Sequence, residues 1–424
     1  MVAADSLGGT LTDTNGPNNG LSELRAAWLA TILCRYFGDL DDATIADIEE
    51  RLDWIEIPGG ARLIEQGDPG DSVFFVLSGR LRASVDAGEN TPRIIGEITD
   101  GESVGELALL TRESRSATVT AIRDSLLVRL AADDFDELAN RHPGMVAGLA
   151  ALVVTRERNR RTTAIAGSAI GNITVVGADP SQDLDAFSIA LGEALRRESG
   201  RGAIHLCSRR VEERLGEPGI AQSRPGDPGH SRLSDWLNRL EHHTEYVIYQ
   251  ADAAPTEWSR RAARQADVVL VVAGGGADPS PGRLERELLG GSGAAPHTHR
   301  ILVLIHAPGR EPEGTRHWLG PRPTAGWQHM DAGSRRSFDR LARLLAGRAV
   351  GLALGGGGAR GFVHLGTAKA LREAEIPIDL VAGTSIGSTF AALIATGLDY
   401  DAMEDMARRV FVKKRPLGDY TLPL

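Results

Sequence analysis

Cysteine is scarce: Cys34 and Cys207 are the only two in 424 residues. A pair so far apart makes neither a disulfide framework nor a metal-ligand cluster, and it fits a reducing compartment. Long apolar runs are missing as well, none approaching the roughly 18 residues that span a bilayer. The first 20 residues, MVAADSLGGTLTDTNGPNNG, lack the basic and apolar regions of a secretory signal and read as a flexible, polar lead-in. The expected location is therefore cytoplasmic. Positive charge does not dominate either, since 47 Lys and Arg stand against 57 Asp and Glu, a net charge of −10. A chain that binds nucleic acid through its phosphates is normally basic, so no nucleic-acid partner is expected.

Glycine is what the chain has in excess, at 50 of 424 residues, against a usual share of about 7%. At about 150 residues per domain the length suggests about three domains, and three textures follow one another. Residues 21–165 open with helical periodicity at Leu21, Leu24, Ala27, Leu29 and Ile32. Short alternating runs broken by Gly come next, at Ile55–Ile57, Arg62–Ile64, Ser72–Leu77, Leu81–Val85 and Arg93–Ile98. That spacing predicts a small β-roll, closed by an apolar helix near Phe135–Val154. Residues 168–346 carry short β-branched runs at Ile173–Gly177, Ala203–Cys207, Tyr246–Gln250, Val268–Ala273 and Ile301–His306. Separated by helical or Gly/Pro-rich segments, they predict a parallel α/β sheet. The stretches 216–229 and 274–299 read as mobile loops. From 347 to 424 the pattern is a strand at Val350–Leu354, a glycine run, a helix, a strand at Ile378–Val381 and a sharp turn. The fold class expected is multidomain α/β. The last segment is too short to close a sheet by itself, so the expectation is a fragment of a longer chain.

Two places carry chemistry. The first is ValGlyGluLeuAlaLeuLeuThrArgGluSerArgSerAla from Val104 to Ala117, in which Arg115 follows Glu106 by nine residues. A guanidinium and a short helix N-terminus suit one compact phosphate. With the upstream run Gly59–Gly79, this stretch resembles the phosphate-binding cassette of cyclic-nucleotide-binding domains. The resemblance implies that Arg115 pairs the phosphate and Glu106 accepts from the ribose 2′-OH, with Gly105, Leu107, Ala108 and Ser116 lining the cradle. The ligand implied is cAMP or cGMP in a regulatory role. The alternative is that Glu106 and Arg115 only pair with each other. No helix-turn-helix follows the roll, so a DNA-binding regulator is not expected.

In the middle segment, the turn after Ile173–Gly177 occupies the place of a phosphate loop. It has no Lys or Arg between Thr174 and Leu195, so a working P-loop is not expected and the segment reads as a degenerate P-loop-like scaffold.

The second place combines GlyGlyGlyGlyAlaArgGly at 355–361 with GlyThrSerIleGly at 383–387. A Gly-x-Ser-x-Gly between a strand and a helix is the context of a nucleophile elbow, presenting Ser385. The glycine loop offers the N–H groups of Gly356, Gly357 and Gly358 to an oxyanion. Together these elements resemble the patatin-like phospholipases. The extended match, with a cyclic-nucleotide-binding domain upstream, looks like their neuropathy-target-esterase branch. The resemblance implies a Ser–Asp dyad that hydrolyses carboxylic esters of phospholipids and lysophospholipids, with Ser385 as nucleophile and Arg360 supporting the loop. It implies no catalytic cofactor and a peripheral position at the inner face of a membrane.

Gly356, Gly358 and Gly361 also fit a dinucleotide fingerprint, but Asp379 stands at the wrong end of the second strand for that reading. His364 reads as a packing or capping residue. The pairs His242–His243 and His297/His299 lack metal partners, so no metal site is expected. Arg408, Arg409, Lys413, Lys414 and Arg415 suit either anionic headgroups or a solvated face. The family's base is an Asp followed by Gly, and none of Asp399, Asp401, Asp405 or Asp419 is followed by Gly. A competing function is therefore a non-enzymatic cyclic-nucleotide sensor or interaction protein with an incomplete hydrolase module.

Overall fold

The computed structural model describes residues 29–38, 40–86, 93–142, 144–162, 170–290 and 299–413. The lead-in at 1–20, His297, Lys414, Arg415 and Asp419 lie outside these residues.

The first unit is an antiparallel roll of eight strands: β1 (Leu52–Ile57), β2 (Arg62–Ile64), β3 (Ser72–Ser78), β4 (Arg80–Val85), β5 (Arg93–Thr99), β6 (Ser103–Val104), β7 (Thr118–Ala121) and β8 (Ser125–Ala131). They form two four-stranded sheets, ordered β1-β8-β3-β6 and β2-β7-β4-β5. Every residue of β3 is buried, because Phe74 and Val76 pack with Leu127 in the roll interior and Phe75 and Leu77 pack with Val128 in the cluster beneath the helices. The apolar segment expected as one helix is two, Ala132–Arg141 and Gly144–Thr162. His142, which caps the first at φ −128°, precedes Pro143, and a residue before proline is driven out of the α region.

The second unit is a six-stranded parallel sheet of β9 (Asn172–Gly177), β10 (Ala203–Leu206), β11 (Tyr246–Gln250), β12 (Val268–Gly274), β13 (His299–His306) and β14 (Gly326–Asp331). Their order is β10-β11-β9-β12-β13-β14. β9, β11 and β12 are buried almost throughout, as expected for central parallel strands covered on both faces. Two expected loops hold helices. Pro228–His243 starts inside 216–229 with Pro at its first position, where the missing N–H costs nothing. Arg283–Leu289 lies inside 274–299, with Leu288 and Leu289 buried.

Buried charge joins these two units. The turn between β7 and β8 presents Arg123 and Asp124 to the parallel sheet. Asp267 Oδ1 accepts from Arg80 Nη1 at 2.9 Å and from Arg123 Nη2 at 3.0 Å, while Oδ2 accepts from the backbone N–H of Gly171 and Asn172. Arg264 makes a two-pronged contact with Asp124 at 2.8 and 3.1 Å. Arg264 and Arg261 hold the Asp124 carboxyl below its ordinary range against the opposing effect of burial.

The third unit begins with β15 (Gly351–Leu354) and β16 (Leu380–Gly383), paired in parallel so that Leu354 faces Gly383. Asp379 pins their N-terminal ends. Its carboxylate accepts from Arg343 Nε at 2.9 Å, Arg343 Nη2 at 2.7 Å and the Val350 N–H at 3.0 Å. Arg343 belongs to the last helix of the second unit, Arg335–Leu345, and also pairs with Glu198. The core behind the two strands is built on Phe390, which meets Phe362 edge-on. No described helix is long and apolar enough to cross a membrane.

Candidate functional sites

Parallel pairing of β15 and β16 brings the turns after both strands to one edge. Ser385 there has φ 55° and ψ −127°, a conformation that L side chains rarely adopt. The neighbouring glycines show what holds it. A Cβ at Gly383 would lie 2.3 Å from Gly387 O, and one at Gly387 would lie 2.3 Å from Leu354 O and 2.6 Å from Gly355 O. These positions accept no side chain, because the end of β15, the turn and the start of helix Ile386–Ala395 are in close contact. The Thr384 N–H donates to Leu354 O at 3.0 Å, and Ser388 N donates to Ser385 O at 2.9 Å.

The glycine loop closes over this turn. A Cβ on Gly356 would meet Ser385 Cβ at 3.4 Å. The N–H groups of Gly356, Gly357 and Gly358 have no protein acceptor among the described residues. Gly358 opens a short 3₁₀ turn, Gly358–Phe362, with φ 55°. Ser385 and residues 355–360 are exposed, so an incoming carbonyl can reach both hydroxyl and N–H groups. Arg360 touches the loop through its backbone, its N–H donating to Gly357 O at 3.1 Å.

His364 is engaged by the glycine loop and the core rather than by Ser385. Its Nε2 bonds Gly355 O at 2.9 Å, and its ring lies against Phe390. Among the described residues, no group hydrogen-bonds the Ser385 hydroxyl. Asp379 is tied to Arg343, and Asp399 caps helix Tyr400–Ala407 through the Ala402 N–H. Asp379 also sits at the start of β16, remote from the glycine loop, so it offers a ribose nothing at the end where a dinucleotide would lie. Arg408, which follows helix Tyr400–Ala407, pairs with Glu404 of that helix.

In the roll, Gly105, Glu106, Leu107, Ala108, Arg115 and Ser116 line a single cavity of about 180 Å³, joined by Val153 from helix Gly144–Thr162. Gly105 has φ 87°, and a Cβ there would meet Arg115 Nη1 at 2.4 Å. Arg115 is 5% exposed. Its Nη1 donates to Ser72 O at 2.8 Å and to Gly105 O at 3.1 Å, and its Nη2 donates to Ser72 Oγ at 3.0 Å and to Asp71 Oδ1 at 3.2 Å. Its ion-pair partner is Asp71 rather than Glu106. Burial shifts the guanidinium down from its ordinary value. Because Asp71 is largely exposed, an incoming phosphate can replace that carboxylate without stripping a buried acid.

The turn after β9 holds an acid where a P-loop would cradle phosphate. Asp179 accepts from the Gly274 N–H at 2.9 Å and the Ser181 N–H at 2.8 Å, and Asp183 caps the following helix through Ala186 N. These carboxylates satisfy donors that a nucleotide phosphate would need. The described residues include no group of three His, Cys, Asp or Glu that could hold a metal ion.

Comparison with known proteins places each unit. Residues 54–142 match the family model of the cyclic nucleotide-binding domain, 170–346 that of the Neuropathy Target Esterase family P-loop like domain, and 352–419 that of patatin-like phospholipase. Patatin-like phospholipase domain-containing protein 7 of Rattus norvegicus is 34% identical in an alignment of 413 positions that covers 86% of this chain and 30% of that protein. Lysophospholipase nte1 of Aspergillus fumigatus is 32% identical, over 89% of this chain and 29% of its own length. For patatin-like phospholipase domain-containing protein 6 of Homo sapiens the figures are 33%, 83% and 28%. The chain thus spans under a third of the length of these curated relatives. The chain carries, in this order, a cyclic nucleotide-binding domain, the P-loop like domain of the Neuropathy Target Esterase family and a patatin-like phospholipase domain, and it is similar in sequence to the patatin-like phospholipases of that type.

Proposed function

We propose that this chain supplies the nucleophile and oxyanion loop of a serine esterase acting on carboxylic esters of phospholipids and lysophospholipids. The observation that carries the proposal is the strained Ser385 turn with Gly356 pressed against it and three undirected N–H groups alongside. Ser385 Oγ attacks the ester carbonyl, and the carbonyl oxygen becomes an oxyanion that collects the N–H groups of Gly356, Gly357 and Gly358. The alcohol portion then leaves, an acyl-serine forms, and water releases the acid. The Ser385 proton passes to the Asp base that the resemblance implies and from it to the departing alcohol, and the same base takes a proton from the attacking water and returns it to Ser385. Peripheral contact with a lipid surface fits the apolar side chains beside the turn, among them Val363 at 65% exposure. Ser385→Ala in the native-length protein abolishes labelling by a fluorophosphonate probe and hydrolysis of lysophospholipid. Persistent labelling would overturn the assignment.

The cavity at Arg115 is read as a regulatory cyclic-nucleotide site. Arg115→Glu removes cAMP and cGMP binding in calorimetry, because it puts like charge against the phosphate and leaves Asp71 and the Ser72 carbonyl facing a carboxylate. Saturating cAMP or cGMP changes esterase activity of the native-length protein; an unchanged rate removes the regulatory part alone. The second reading, a sensor without hydrolysis, is favoured by the lack of a proton acceptor for Ser385 among the described residues. It predicts nucleotide binding with no probe labelling.

A further inference from the structure

The second unit holds a cavity that neither reading above uses. It lies at the rim of the parallel sheet, where β10 is the outermost strand, between helices Leu184–Ser199 and Ser208–Leu215. Its volume is about 160 Å³, and Arg196, Arg210 and Arg214 line it together with one acid, Glu193. Ser188, Gly192 and Arg196 recur at four-residue spacing on the first helix, as Arg210 and Arg214 do on the second, so each helix turns one face to the same space.

Two buried polar atoms in this lining have no hydrogen-bond partner. They are Ser188 Oγ, on a residue with no exposure, and His205 Nδ1, on a residue 6% exposed. Leaving such atoms unpaired is costly, and folded proteins rarely do so without a role for them. The other ring nitrogen of His205, Nε2, lies 2.8 Å from Gln250 Oε1. That oxygen can only accept, so Nε2 carries the hydrogen and Nδ1 presents a lone pair. Burial, followed by the charge of Arg210, lowers the ring's proton affinity and keeps it neutral.

The donors are unequal. Arg196 is committed to Ala203 O, at 3.1 and 2.8 Å, and Arg210 stands 3.5 Å from Asp185. Arg214 has no ion-pair partner among the described residues. The lining therefore combines surplus positive charge, a free guanidinium, an unpaired hydroxyl and one neutral acceptor.

We propose that this cavity binds a small phosphate monoester, its charged oxygens on Arg214 and the Ser188 hydroxyl and its P–OH donating to His205 Nδ1. An anion without a proton, such as sulfate, fits the charges but leaves the acceptor unmatched. The same chemistry is carried by a free phosphate monoester and by the headgroup of a phosphatidate.

The test uses the full chain at pH 6, where about half of a phosphate monoester keeps its P–OH, its thermal unfolding followed in inorganic phosphate, in glycerol phosphate and in sulfate at matched ionic strength. Phosphate and glycerol phosphate raise Tm and sulfate does so much less. Arg214→Glu, at an exposed position that leaves the fold intact, weakens the phosphate response by roughly tenfold or more. Ser188→Ala raises Tm without ligand, by removing an unpaired buried hydroxyl, and blunts the response to phosphate. Sedimentation with phosphatidylcholine vesicles containing phosphatidic acid, but not with phosphatidylcholine alone, and its loss in Arg214→Glu, would identify the headgroup as the source. Absence of any response to phosphate and to phosphatidic acid overturns the proposal. So does an equal response to sulfate, or a phosphate response undiminished in both variants.

Discussion

Asp267→Ala is expected to destabilise the chain by about 3–5 kcal/mol, the cost of removing one partner from a buried, hydrogen-bonded ion pair. The size follows from how much depends on one carboxylate. Arg80 and Arg123 both donate to Oδ1, and the Gly171 and Asn172 N–H groups both donate to Oδ2. The side chains of Arg80 and Arg123 are only 15% and 11% exposed, so little water reaches them, and their other carboxylates, Glu97 at 3.8 Å from Arg80 and Glu241 at 3.2 Å from Arg123, offset only part of the loss. Asp267→Asn keeps an acceptor for part of this set and is expected to cost less. Thermal unfolding measures the loss, and hydrogen exchange locates it at the Gly171 and Asn172 amides. A change of about 0.5 kcal/mol or less, the scale of a surface pair, would show that the carboxylate does not join the two units.

Gly387→Ala is expected to slow fluorophosphonate labelling of the native-length protein by roughly a hundredfold or more while leaving cyclic-nucleotide binding unchanged. The added methyl would sit 2.3 Å from Leu354 O and 2.6 Å from Gly355 O. Both are backbone atoms, so relief requires β15 and the glycine loop to part from the serine turn. A displacement of about 1 Å in a reacting group can cost about 10²-fold in rate. Gly366→Ala is the control: it lies on helix Val363–Glu373 with open space where its Cβ would stand, and helical propensity favours alanine there. Equal labelling of both variants would mean that the contact between β15 and the turn does not set the geometry of Ser385.

The parts of this molecule that could be read in advance were those with local signatures. β3, β11 and β12 announce themselves as β-branched apolar runs, and Ser385 is found by a five-residue motif between a strand and a helix. β14 escaped because GlyTrpGlnHisMetAsp, at the outer edge of its sheet, buries only Met330 and keeps no apolar alternation. Helix Arg283–Leu289 was hidden by the Gly and Pro on either side of it. Arg123 and Asp267 lie 144 residues apart, and each alone looks like an ordinary surface charge. The link between them exists only once the roll and the sheet have formed. Asp71 is not legible as the partner of Arg115 for a related reason: it lies 44 residues upstream, and only the folded roll brings the two together.

Asp379 fastens β15 and β16 at the same end and to the same neighbour, so these strands are two prongs on a single handle. Were helix Arg335–Leu345 to tilt, the Arg343–Asp379 contact would carry this handle with it, and Ser385 and the glycine loop would swing together. The spacing between the Ser385 hydroxyl and the glycine-loop N–H groups would survive such a swing; the direction in which they face would not. Motion arriving from the sheet would thus re-aim the exposed serine turn while leaving the contacts that hold it unchanged.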